Sequence, residues 1–144
     1  MNAIGLASRS VRIKGLVNTL LGLIHIVGTF TFESSKIAGQ GTPHLRRDYL
    51  VWFWGVGVFI LLSGILDLIC VRAIRDGSNL AWRIALFSSV SIGLFGACGV
   101  SFYGISPPLV LLLTGALATA CLAWTRKGFA KDGRLSGSAP SNPS

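Results

Sequence analysis

Two ionisable residues fall inside long apolar runs, and they are where this sequence could do chemistry. Asp67 sits near the end of YLVWFWGVGVFILLSGILDLICV, and His25 lies within GLVNTLLGLIHIVGTFTF. A carboxylate at membrane depth can take up and release a proton or hold a substrate. An imidazole there can relay a proton or ligate haem or a metal. Ionisable groups are costly inside a bilayer, so function is the default hypothesis for each. Each also has a structural reading. On a helix-packing face a histidine is more often hydrogen-bonded structure than a ligand, and bis-histidine haem needs a partner at depth that the other histidine, His44 in a polar segment, does not supply. For Asp67 the structural reading is a polar pair that fixes helix register, with snorkelling toward Arg72 or Arg75 as a further option.

The pair partner follows from the elements that carry these residues. Gly15–Phe32 is 18 residues without a formal charge, enough to cross most of a hydrocarbon core of about 30 Å at about 1.5 Å per residue. Asn18, Gly22, His25 and Thr29 recur at steps of four, three and four and share one side of a helix, while Leu16, Leu20, Leu23 and Phe30 take the other. If this helix and the next are antiparallel with midpoints near Leu23 and Leu61, residues at equal depth have numbers summing to about 84. Asn18 then comes level with Asp67, and its amide can donate to the carboxylate. That pairing predicts tolerance of Asp67→Asn and only mild destabilisation by Asp67→Leu.

The remaining elements complete a four-helix reading: spans of about 15–32, 49–71, 84–103 and 109–125, between a basic segment 1–14 and a basic, then disordered, tail 126–144. Tyr49, Trp52 and Trp54 open the second span as an interfacial aromatic belt. The first apolar run is too long, and too often interrupted by polar residues, for a cleaved secretory signal. Glu33–Asp48 and Gly104–Pro108 read as loops. In the third span Ala85, Ser89, Gly93, Ala97 and Ser101 recur every four residues, and Gly115, Thr119 and Ala123 repeat the pattern in the fourth. Such stripes permit close helix approach where no hydrophobic effect drives helices together, and Gly22 and Gly64 are packing candidates for the same reason.

Composition agrees. The chain is 51% hydrophobic and 12% charged, with a mean hydropathy of +0.66, against about 25% charged residues in soluble domains. The net charge of +8 is not a nucleic-acid signature, because the basic residues flank the apolar runs. The amino terminus, second loop and tail hold 3, 3 and 4 Lys and Arg, against 3 in the first loop and none in the last. The positive-inside bias therefore expects both termini in the cytoplasm.

No phosphate-cradling loop, Ser/His/Asp arrangement, paired carboxylates or HExxH occurs, and the GxG at Gly55 and Gly57 lies in an apolar helix. Cys70, Cys98 and Cys121 form no CxxC or Cys/His cluster and read as buried inert thiols. The expectation is no cofactor and no metal.

The stretches LLGLIHIVGTF, WFWGVGVFILLSGILDL, the double proline at Pro107 and Pro108, and LLLTGALA resemble the small four-helix bacterial membrane proteins grouped as DoxX-like. The resemblance covers about Gly15 to Trp124 and implies a four-helix membrane bundle. The short multidrug exporters are set aside because their first helix carries a carboxylate, and claudin-type proteins because the first loop here lacks their tryptophan motif and paired cysteines.

The expected object is an all-α, four-helix integral membrane protein, of the bacterial inner membrane. Its expected role is that of a non-catalytic accessory subunit or self-associating bundle, with the lipid bilayer and another copy or another membrane protein as partners, and no nucleic acid. The alternatives are a small proton-coupled carrier using Asp67 and His25, and a redox subunit handling quinone or haem.

Overall fold

The structure, a computed structural model, describes residues 3–33, 42–103 and 106–130. It is an all-α bundle of four helices: α1 (Ala3–Gly28), continued by a π-helical turn over Thr29–Glu33, α2 (Pro43–Arg75), α3 (Asn79–Tyr103) and α4 (Ser106–Ala130). All four are long and apolar enough to cross a membrane. The last described helix begins at Ser106 and runs to Ala130, which corrects the reading of Ser106–Pro108 as part of a turn and of Arg126–Ala130 as tail; residues 34–41, 104–105 and those beyond 130 lie outside the described residues.

The helices extend beyond the uncharged windows that mark them in the sequence. α1 begins well before Gly15, so Arg9, Arg12 and Lys14 are helical. α2 begins at Pro43 rather than Tyr49, which corrects the reading of Pro43–Asp48 as part of a loop. The reason is local: Thr42 accepts a bond from the Leu45 amide at 3.4 Å and Pro43 takes the first helical position, where its missing N–H costs nothing.

The turn between α2 and α3 is equally determined. Gly77 adopts φ of +82°, the left-handed conformation that favours glycine. This lets Ser78 N–H reach Ala73 O and Gly77 N–H reach Ile74 O, satisfying carbonyls at the end of α2. The Ser78 hydroxyl then accepts from Ala81 N–H and opens α3.

The broadest helix contacts are α1 on α2 and α3 on α4, with narrower ones joining α1 to α4 and α2 to α3. The main core lies at the end where α1 and α3 begin and α2 and α4 finish. There Val11, Ile74, Trp82, Ala85, Leu122 and Phe129 are buried together, and the Trp82 indole donates to Leu122 O at 3.0 Å. Outward positions carry large apolar side chains, among them Leu16, Leu20, Leu23 and Phe30 on α1, as a lipid-facing surface requires.

Glycines set the helix spacing. A Cβ at Gly22 would lie 2.5 Å from the Leu61 amide nitrogen, one at Gly64 would lie 2.5 Å from that of Thr19, and one at Gly115 would lie 2.5 Å from that of Gly93. Along the four-residue stripe of α3, Ala85 and Ser89 are fully buried, Gly93 and Ala97 half-buried, and Ser101 exposed. A strict step of four gains about 40° per step on a helix of 3.6 residues per turn, so the stripe drifts off the packing face. Gly96 takes over the close approach, against Leu112.

Candidate functional site

Asp67 lies in the last third of α2, fully buried, and the group it meets is Lys14. The Lys14 Nζ to Asp67 Oδ2 distance is 2.8 Å, with the two side chains 1% and 0% exposed. α1 positions the lysine because the polar stripe of Asn18, Gly22 and Thr29 continues backwards by four residues to residue 14. Gly15 beside it lets the helices close, since a Cβ there would lie 3.1 Å from both the Asp67 Cβ and Gly64 O. The ammonium also donates to Ser88 Oγ of α3 at 3.0 Å, and Ser88 Oγ shares a hydrogen bond of 3.0 Å with Ser63 Oγ of α2. One polar layer thus links three helices, toward the end of the bundle where α1 and α3 begin and α2 finishes.

This corrects the pairing expected from the sequence. Asn18 is fully buried on the correct face, but its amide nitrogen and oxygen have no hydrogen-bond partner among the described residues. The carboxylate takes the cation one turn earlier, because an ion pair in a low-dielectric interior offsets the desolvation of both groups, which a neutral amide cannot. Snorkelling toward Arg75 does not occur either: Arg75 Nε donates to Ser8 Oγ at 3.0 Å. The expected tolerance of Asp67→Asn does not survive this geometry, since that change leaves an uncompensated lysine.

His25 stands apart. It is eleven residues from Lys14 on the same helix, about 16 Å along the axis. Its ring stacks on Phe53 at a centroid distance of 5.1 Å, and Phe53 stacks in turn on Tyr49 at 4.8 Å. Thr29 Oγ1 donates back to His25 O at 2.8 Å. The structure therefore does not bring His25 and Asp67 into one site. Among the described residues no three His, Cys, Asp or Glu side chains gather in a way that could hold a metal.

The remaining sequence candidates fall into packing roles or outside them. Ala85 is buried in the main core, Ser89 and Gly115 are buried where α3 meets α4, and Ala97 and Thr119 are half-buried. Of the thiols only Cys70 is buried: Cys98 is exposed and Cys121 is intermediate. The reading of all three as buried is corrected, because Cys98 lies next to the half-buried Ala97 where the α3 stripe has turned outward.

No family model, curated protein or solved structure matches the chain.

Proposed function

We propose that this chain is a non-catalytic integral membrane protein that acts by association, as an accessory subunit or a self-associating bundle. The observation that carries this reading is the closed Lys14–Asp67 pair. Its charges are matched and enclosed by Ser63 and Ser88, which suits a device that holds three helices in register. The outward surface offers other membrane segments broad apolar contact. Chemical cross-linking in membranes, followed by native mass spectrometry in mild detergent, is expected to give a defined oligomer or a stoichiometric membrane partner. A monodisperse monomer without any partner would overturn the proposal.

A carrier is the second reading, and the unpaired buried amide of Asn18 favours it, because a polar group without a protein partner is available to a passing ligand. The association reading expects Asn18→Ala to leave stability unchanged or slightly raised, since an unbonded buried amide costs about 1–3 kcal/mol. Solute flux in proteoliposomes that is present in the parent and lost in a folded Asn18→Ala protein would establish the carrier instead.

For orientation we propose both termini in the cytoplasm of a bacterial inner membrane, supported by the excess of Lys and Arg at one end of the bundle. A cysteine at Thr42 in an otherwise cysteine-free chain should label from outside intact cells. One at Asn79 should not, and the reverse pattern would refute the orientation.

A further inference from the structure

Four arginines, one from each helix, lie at a common level. Arg9 is five residues before Lys14, Arg72 five after Asp67, and Arg83 five before Ser88. Those three reference side chains touch one another at 2.8 and 3.0 Å, so the arginines sit about 7.5 Å from the polar layer, all toward the same end. For α4 the level comes from the close approach of Gly93 and Gly115. By that register Arg126 is six residues beyond the level of Ser88, about 9 Å.

All four side chains are exposed. Arg72, Arg83 and Arg126 have no carboxylate within 4.0 Å among the described residues. Just inside the belt, each helix turns one large apolar side chain outward: Ile13 at 62%, Ile69 at 69%, Phe87 at 75% and Trp124 at 85% exposure. A cationic ring stacked on an apolar ring matches the boundary between headgroup and acyl chain. Among the described residues this end has one acid, Asp76, against Arg9, Arg12, Arg72, Arg75, Arg83, Arg126 and Lys127, whereas at the opposite end Arg46 and Arg47 are balanced by Glu33 and Asp48.

We infer that Arg9, Arg72, Arg83 and Arg126 form a binding belt for anionic phospholipids, with the phosphates on the guanidinium groups and the acyl chains along Ile13, Ile69, Phe87 and Trp124. The planar fork of arginine donates two parallel hydrogen bonds to a phosphate. A zwitterionic headgroup carries its own cation and gains less from the belt.

The test measures lipid binding to the detergent-purified full chain by native mass spectrometry, with phosphatidylglycerol, phosphatidylcholine and inorganic phosphate as separate probes. Phosphatidylglycerol should bind more tightly than phosphatidylcholine. Each arginine near a membrane surface contributes about fivefold at its own phosphate site, so Arg72→Gln/Arg83→Gln/Arg126→Gln should lose most of the bound phosphatidylglycerol. The corresponding triple lysine variant should keep most of it, and Arg47→Gln should change nothing. If the triple glutamine protein loses its helical circular dichroism, the single variants serve instead, each with about a fivefold loss. Equal binding of the two lipids, an unchanged glutamine variant, or displacement of the lipid by an equal concentration of inorganic phosphate would overturn the belt.

Discussion

Asp67→Leu alone is expected to destabilise the bundle by about 3–5 kcal/mol, because it leaves the Lys14 ammonium buried without a counter-charge. Lys14→Met should cost a similar amount by stranding the carboxylate. The double variant Lys14→Met/Asp67→Leu should recover most of the loss, since replacing a buried ion pair by apolar groups of similar volume is often neutral or stabilising. Asp67→Asn belongs with the single variants. Thermal or denaturant unfolding in detergent measures all four. A double variant as unstable as the sum of the singles would show that the groups do not act as a pair.

The second large effect is steric. Gly22→Ala places a methyl 2.5 Å from the Leu61 backbone nitrogen, and backbone cannot swing aside as a flexible side chain can. The expected loss is about 1–3 kcal/mol, as for overpacked cores, despite alanine's advantage of about 1 kcal/mol over glycine in helices. Gly64→Ala meets the Thr19 backbone in the same way. Gly55→Ala is the control: nothing lies within 4 Å of its added carbon, and it should be neutral or slightly stabilising. Unfolding of the three variants side by side decides the matter, and equal tolerance of Gly22→Ala and Gly55→Ala would remove glycine contact as the basis of the α1–α2 packing.

Helix number and the α1–α2 register are legible in the sequence because both follow from where the apolar runs begin and end. Gly22 meets Leu61, Ile26 meets Gly57 and Thr19 meets Gly64, pairs whose numbers add to 83, one residue from the value expected from helix midpoints. The Lys14 partner is harder to read because a span delimited by its first uncharged residue excludes the lysine by construction. The available signal is that residue 14 continues the polar stripe four residues before Asn18. The early start of α2 is encoded too, in the dipeptide Thr42–Pro43, but the glycines and charges around it resemble a loop. The drift of the α3 stripe is legible from the helical repeat alone. What the sequence does not carry is a distance: which glycine touches backbone, Gly96 rather than Ala97, depends on where α4 settles.

The ion pair also bears on how the chain is made. Lys14 emerges from the ribosome fifty-three residues before Asp67, so the first helix emerges with a cation whose partner is still to follow. Releasing that helix alone into lipid leaves the lysine about 7.5 Å inside the arginine level, where its stem must snorkel toward the headgroups and give up the buried position it holds in the bundle. Insertion as an α1–α2 hairpin avoids both. One buried contact therefore predicts that a chain truncated before Asp67 integrates into membranes less completely than one that carries α2, and equal integration of the two would refute coupled insertion.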